Sequence, residues 1–302
     1  MGLSIYNIKK WTKMLLGKSI MHVNQDLGKS FIPGELKGYF NNLTEKVTKD
    51  PVTLRNRSVP LSTDEKEGTV YFPVTVFQYG LGTYDLYLQT HEEQYIEQFW
   101  NCVNSAVEHQ ERPGVWNNFG FLYPNAPYGS MCQGEAASFF LRAYRESGDV
   151  KYLEIAKKAI DFMLTPIEKG GTAKYEDNDI ILYEFINKPV VLNGWIFSLY
   201  GLYDLCLVED NEKYHKALNQ AVHTLRRYLP EYDNGYWSMY DLGGRIASPF
   251  YHNLHIAQME ALAKTFNDPI FKKYEDQFRK YREKGLNQCR AFVKKALQKI
   301  MD

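Results

Sequence analysis

Asn193-Gly-Trp195-Ile-Phe-Ser-Leu-Tyr-Gly-Leu-Tyr203-Asp, followed by the turn Glu209-Asp-Asn211 and by Tyr214, is the stretch that decides the fold. A polar residue opens an apolar helix, a short acidic and amide-rich turn stops it, and an aromatic residue anchors a second helix running to Leu229. The same plan recurs three times. Gln78-Tyr-Gly-Leu leads through Tyr84 and the His91-Glu-Glu turn to Tyr95 and Val107. Gln133-Gly-Glu135 leads to the turn Ser147-Gly-Asp149, then to Tyr152 and Met163. His252 leads to Asn267-Asp-Pro269, then to Phe271 and Tyr281. The anchors Tyr95, Tyr152, Tyr214 and Phe271 recur every 57 to 62 residues, the period of a repeated two-helix unit.

Within a unit the tight turn makes the two helices antiparallel neighbours. Between units the connections are long: Gln110–Met131, Thr165–Val190 and Tyr232–Phe250. Each joins a second helix to the next first helix, so all three gather at one end, where long connections are usually functional. The expected fold is mainly α: an incomplete (α/α) toroid of about four helix hairpins over residues 71–302, with its cleft at that end. Residues 1–70 carry prolines at 33, 51 and 60, and the alternation over Thr69–Val76 suggests strand. They read as an irregular, partly β arm folded across the toroid.

Thirty-six basic and 36 acidic residues balance, which disfavours general nucleic-acid binding. The basic runs Lys272–Lys284 and Arg290–Lys299 read as solvated helix faces. Aromatic residues make up 15% of the chain, including 23 tyrosines, a composition that suits sugar rings as well as cores. The scattered Cys102, Cys132, Cys206 and Cys289 lack metal-type spacing and read as buried free thiols of a reducing compartment. No apolar stretch is long enough for a signal peptide or membrane span, so the expected location is cytoplasmic.

The chemistry-bearing residues cluster. Ser238-Met-Tyr240-Asp-Leu and Ser248-Pro-Phe-Tyr251-His252-Asn-Leu-His255 set two tyrosines and two histidines together, ahead of a helix expected from Leu254 to Phe266. Polar side chains there lie beside unpaired backbone N–H groups, a natural place to meet an anion. Phosphate-loop, dinucleotide, nucleophile-elbow and zincin patterns are absent from the sequence. His252 and His255 lack a third metal ligand, and no calcium ligand set is identifiable.

Four ordered blocks resemble the catalytic domain of D-glucuronyl C5-epimerase: Pro73-Val-Thr-Val-Phe-Gln78-Tyr-Gly-Leu, Ser130-Met-Cys-Gln133-Gly-Glu-Ala, Val191-Leu-Asn193-Gly-Trp to Tyr203-Asp, and Met239-Tyr240-Asp-Leu with Tyr251-His252-Asn-Leu-His255. The resemblance covers about residues 70–265; the larger N-terminal β region of the animal enzymes has no counterpart, which implies a microbial or stand-alone form. It implies inversion of C5 in glucuronate residues of a heparosan- or heparan-type polymer, giving iduronate without a cofactor. It also implies a homodimer. Such chemistry asks for an acid/base group on each side of the ring and a cation or donor at the carboxylate.

The resemblance implies Tyr251 on one side with Tyr240 nearby, and a Glu-Tyr-Pro segment before the third unit. Here that segment reads Tyr183-Glu184-Phe185-Ile186. Aligning Pro189 with the family's proline gives Glu184 the catalytic place and leaves Phe185 where a tyrosine is expected. A gapless alignment gives Tyr183 that tyrosine's place and loses the glutamate. Glu184 is preferred as the only carboxylate of the stretch, with Tyr183 a neighbouring substitute for the lost hydroxyl. Arg245 is the candidate for the substrate carboxylate through a bidentate pair. His252, Gln78 and Trp116 complete the substrate-facing set. Gln133, Asn193 and His255 open inner helices, where they can bind sugar hydroxyls or cap backbone. Two alternatives stay open: a uronate lyase sharing the C5 abstraction, and a glycan-binding relative that has lost acid/base work.

Overall fold

The computed structural model describes residues 5–16, 22–49, 58–64 and 68–301. In chain order the elements are α1 (Ile5–Leu15), α2 (Thr44–Thr48), β1 (Ser62–Asp64), β2 (Gly68–Val70), α3 (Pro73–Thr90), α4 (Glu93–Glu108), α5 (Ser130–Ser147) and α6 (Val150–Met163). They continue with β3 (Ala173–Glu176), β4 (Asp179–Leu182), α7 (Leu192–Cys206), α8 (Glu212–Tyr228), α9 (Pro249–Phe266), α10 (Pro269–Glu283) and α11 (Gly285–Met301).

Local chemistry sets the boundaries. Asp149, Asn211, Ser248 and Asp268 each accept a backbone N–H at the start of α6, α8, α9 and α10. His91, Gly148 and Asn267 adopt the left-handed conformation that stops α3, α5 and α9. These stops fold back the hairpins α3/α4, α5/α6 and α9/α10, while α7 ends in the right-handed region at Leu207 and turns into α8 through the Asn211 cap. Tyr95, Tyr152, Tyr214 and Phe271 are each the third residue of an outer helix. From there a side chain leans back toward the helix start, so Tyr152, Tyr214 and Phe271 are buried at the turn.

The inner helices α3, α5, α7 and α9 are buried over most of their circumference, whereas α4, α6, α8 and α10 bury a single stripe. The result is the two-layered, incomplete (α/α) toroid. Inner helices α5 and α7 meet backbone to backbone: a Cβ on Gly201 would stand 2.1 Å from the Gly134 carbonyl oxygen.

The N-terminal arm takes the place between α3 and α9. Residues 26–42 form a loop joined by Gly28 N–H to Phe40 O at 2.8 Å and Asn42 N–H to Asp26 O at 2.6 Å. Its returning limb, residues 38–43, is buried toward the C-terminal ends of the inner helices. There Phe40 stacks on Tyr200 at 3.9 Å and the Tyr39 N–H donates to Asp85 at 3.0 Å.

Several expectations change. The alternation over Thr69–Val76 is strand only to Val70, because Pro73 starts α3 and the apolar residues after it turn inward. Helix α9 begins at Pro249, five residues before Leu254, because Ser248 caps it and proline suits the first turn. A β3–β4 hairpin, unforeseen in the sequence, occupies the second long connection. Cys289 on α11 is exposed, not buried. Of the arm's prolines, Pro51 lies outside the described residues. No described helix is long and apolar enough to cross a membrane.

Candidate active site

The long connections meet at the N-terminal ends of the inner helices. Hairpin β3–β4 is fastened to α8, where Thr224 Oγ1 accepts from Ile180 N–H at 3.1 Å and Arg227 pairs with Asp179 at 2.7 Å. Beyond β4 the Ser130 N–H donates to Tyr183 O at 2.8 Å, tying the chain to the start of α5. The next residue, Glu184, lies directly on α7: a Cβ on Gly194 would stand 2.3 Å from its Oε2 and 2.6 Å from its own Cβ. Gly194→Ala is therefore expected to displace the Glu184 side chain and lower activity at least tenfold. The measurement is turnover alongside a melting curve; an active Ala variant would mean that Glu184 need not rest there.

The third connection places Tyr240. Asp241 Oδ1 accepts from Gly243 N–H at 2.9 Å and Arg245 N–H at 3.2 Å, closing a turn. Tyr240 O accepts from Leu192 N–H at 3.1 Å, so the ring hangs over the start of α7. Tyr251 rises from the first turn of α9, its ring centroid 4.8 Å from that of Tyr240. Glu184 and both tyrosines line a cleft of about 290 Å³, whose polar floor includes Gln78, Asn118 and Asn193. Phe72, Phe119, Phe185 and Phe250 supply apolar walls. Phe185 stacks on Phe119 at 4.2 Å.

The electrostatics are those of an enclosed site. Glu184 is 7% exposed, its Oε2 has no protein partner, and burial pushes its pKa up to about 8 against the Arg245 charge. The Tyr251 phenol is pushed up by burial and by Glu184, while a hydrogen bond with Tyr240 works against this. The Tyr240 phenol moves the same way, for burial first and Glu184 second. Glu135, beneath the floor, accepts from Gln78 Nε2 at 2.7 Å, and burial pushes it too up to about 8.

Two buried carboxyls near 8 make stability depend on pH. Between the ordinary carboxyl range, about 4.3, and about 8, the folded chain holds protons that the unfolded chain has lost. Stability therefore falls as pH rises through that window, on the order of 1 kcal/mol per pH unit per group. Glu135→Gln keeps the acceptor facing Gln78 and cannot ionise. It is expected to melt above wild type at pH 8 and close to it at pH 5; equal melting at pH 8 would disprove the buried, protonated Glu135.

Of the residues singled out in the sequence, Glu184, Tyr240, Tyr251, Gln78 and Asn193 converge on the cleft. The others do not. Tyr183 is absent from the lining, its nearest charges being Lys174 and Glu176, because its neighbour takes the place over α7. Trp116 is fully buried, edge-on to Phe77 at 5.2 Å, with Nε1 donating to Ala106 O at 2.8 Å. Gln133 lies below the floor and donates to Trp116 O at 3.1 Å.

His252 spends both ring nitrogens internally. Nδ1 accepts from Ser238 N–H at 3.1 Å, which leaves Nε2–H to donate to Phe278 O at 3.0 Å, and Trp237 stacks on the ring at 3.7 Å. His255 is fully buried behind Ser238 Oγ, 2.8 Å away, and burial lowers its pKa to about 3. Arg245 is paired with Asp241 through Nε and lies 5.6 Å from the Tyr240 ring. Its charge reaches Glu184, but the side chain is absent from the cleft's lining.

Sequence reading missed Asn118 and Phe119 of the first connection and His22, Gln25 and Lys46 of the arm. The arm lies outside the repeat, so no periodicity marks it. Among the described residues no three His, Cys, Asp or Glu side chains group as a metal site.

A family model described as D-glucuronyl C5-epimerase C-terminus matches residues 110–280. A D-glucuronyl C5-epimerase of Caenorhabditis elegans is 27% identical over 215 residues, 62% of this chain and 35% of that protein. An uncharacterised protein of Methanocaldococcus jannaschii is 32% identical over 179 residues, 56% of this chain and 57% of its own length. The chain thus matches little more than half of one curated relative and about a third of the other. Among solved structures, an unsaturated glucuronyl hydrolase described with dGlcA-Glc-Rha-Glc superposes with a TM-score of 0.51 at 11% identity, covering 94% of this chain and 82% of that one. That likeness speaks to the fold alone. The family match takes in more than half of the chain, and the protein belongs to the D-glucuronyl C5-epimerase family through that family's C-terminal region.

Proposed function

We propose that this carbohydrate epimerase-like protein inverts C5 of D-glucuronate residues within a polysaccharide, giving L-iduronate. One observation carries the reading: Glu184 and the Tyr240–Tyr251 pair, from different segments, share one cleft, and Glu184 perturbs the protonation of both tyrosines. Family membership supports it independently.

In this reading the Glu184 carboxylate takes the C5 proton, and the bond's electron pair moves into the substrate carboxylate as an enediolate. The Tyr251 hydroxyl, supported by Tyr240, gives a proton to C5 from the opposite face. Burial suits both tasks: a base whose pKa approaches 8 holds an abstracted proton firmly, and a neutral phenol keeps its proton until a carbanion demands it. Because Glu184 must be ionised to begin, activity should climb with pH up to about 8. Arg245 acts through its field, and Asn193 and Gln78 hold sugar hydroxyls. The reading includes a cytoplasmic location and a homodimer, the latter checked by sedimentation.

Incubation in D₂O with heparosan and related glucuronate polymers, read by NMR, tests the reaction. Deuterium at C5 with new iduronate signals is the expected result. An unsaturated product absorbing in the near ultraviolet would assign a lyase instead. No exchange on any glucuronate polymer would remove the reading.

A further inference from the structure

Helix α11 turns polar groups inward and apolar groups outward. On its inner side Gln298 accepts from Ile246 N–H at 2.9 Å and donates to Gly244 O at 2.7 Å, and Lys295 Nζ donates to Ile246 O at 2.8 Å. Phe292 meets Trp11 of α1 edge-on at 5.9 Å. The basic tail that reads as a solvated face in the sequence therefore turns part of itself inward. On the outer side Leu286, Val293, Leu297, Ile300 and Met301 are each more than half exposed. At 3.6 residues per turn they fall within about a third of the circumference, a continuous stripe along the helix. Leu16, just past α1, is exposed as well. The other exposed large apolar residues, Ile32, Val107, Leu122, Val150 and Tyr175, stand singly on separate elements. Single ones are ordinary on a surface; a stripe marks a place where something docks.

The charge around the stripe has one sign. Neither helix contains an acidic residue, while α1 carries Lys9, Lys10 and Lys13 and α11 carries Arg290, Lys294, Lys295 and Lys299. Lys295 is spent on Ile246 O and belongs to the inner side. Arg290 and Lys294 follow one margin of the stripe. The opposite margin leads to Phe292 and so to α1, where Lys9 and Lys13 are exposed. The whole chain is neutral, with 36 basic and 36 acidic residues, so this charge is local.

An apolar stripe between basic margins is what a helix lying in a lipid headgroup layer presents. Apolar side chains enter the acyl boundary, and Lys and Arg meet anionic headgroups. A second copy of the chain is the poorer occupant. Pairing these faces would bring two basic sets together, with no acidic residue in either helix to answer them. We propose that α11, flanked by α1, docks the protein on the surface of a bilayer that contains anionic phospholipid. The helix lies on the bilayer and does not cross it, since no described helix is long and apolar enough. Because its inner side is bonded to Gly244 and Ile246, docking holds the Tyr240 loop one helix diameter, about 10 Å, from the lipid. The docking does not depend on the chemistry of the cleft.

The test is flotation of the intact chain with vesicles of phosphatidylcholine alone and of equal parts phosphatidylcholine and phosphatidylglycerol. Wild type should bind the mixed vesicles at least tenfold more tightly than the neutral ones. Val293→Ser combined with Leu297→Ser should lower that binding at least tenfold without moving the melting temperature, since both side chains already face solvent. Lys9→Glu with Lys13→Glu should lower it as far, and Lys9→Arg with Lys13→Arg should retain it. A polarity-sensitive fluorophore on Cys289, the exposed one of the four thiols, should shift its emission to the blue on the mixed vesicles. The proposal is overturned if wild type binds the mixed vesicles no better than the neutral ones, if the Ser variant binds as wild type does, or if the label does not respond. Sedimentation addresses the rival occupant. A wild-type dimer that the Ser variant breaks, in a chain that binds no vesicle, would make the stripe a contact between copies and would equally overturn membrane docking.

Discussion

Glu184→Gln is expected to lower C5 proton exchange by roughly 10²–10⁴-fold, the range that a positioned proton-transfer group contributes. The replacement is nearly isosteric and fills the same space over Gly194. Glu184 Oε2 makes no hydrogen bond in the protein, so folding loses no partner. The variant should melt at or above wild type at pH 8, where the wild-type carboxyl begins to ionise in a buried place. Tyr251→Phe should show a comparable loss, because it removes the hydroxyl and keeps the ring against Tyr240. The pH profile separates the two roles. Wild type and residual Tyr251→Phe activity should rise with pH up to about 8, whereas residual Glu184→Gln activity should not. Near-wild-type exchange in both variants would end the assignment.

Arg142→Leu is expected to cost about 3–5 kcal/mol of stability, the range for removing one partner of a buried ion pair. Arg142 and Asp204 side chains are each 1% exposed and meet at 2.7 Å. Burial works against the guanidinium charge, and Asp204, with help from Asp85 and Tyr84, more than offsets it. The same side chain donates to Lys37 O at 3.0 Å, Gly38 O at 2.9 Å and Ser138 O at 2.9 Å. One residue thus joins α5, α7 and the returning limb of the arm's loop, and leucine strands a carboxylate and the two loop carbonyls inside the ring. Such a loss is a large share of the roughly 5–15 kcal/mol that holds a domain folded. Urea titration measures it. Arg142→Lys, with a charge but without the planar fork, should fall between the two. A loss below about 1 kcal/mol for Arg142→Leu would mean that the arm is not held through this residue.

The repeat is legible because its signals are local. A cap such as Asn211, a left-handed stop such as Asn267 and an anchor such as Phe271 act within one or two turns of helix. Their order along the chain is their order around the ring. The cleft's end was legible for the same reason, since three long connections must emerge together. Tyr240 and Tyr251 stood out by their clustering ahead of a helix, with their roles supplied by the resemblance, whereas Glu184 stood out through the resemblance alone.

What the sequence could not separate was a polar residue facing the cleft from one facing the core beneath it. Gln78 and Gln133 open equivalent units, yet Gln78 lines the cleft and Gln133 is spent on the Trp116 carbonyl. His252 and His255, prominent in the sequence, are held on Ser238 and Phe278. A backbone partner from a distant segment decides each case, and local pattern carries no record of it.

By itself, then, the amino-acid order determined the two-helix repeat, the toroid and the end at which its loops gather, because capping, turning and apolar burial are short-range in the chain. Only the tertiary structure decided that Glu184 rests on Gly194, that Arg245 is already paired, that the arm stands between α3 and α9, and that α1 lies against α11 with the apolar stripe of α11 left outward. Those facts join residues up to 281 positions apart, as Trp11 and Phe292 are, and contacts at such separation are set by how whole helices pack.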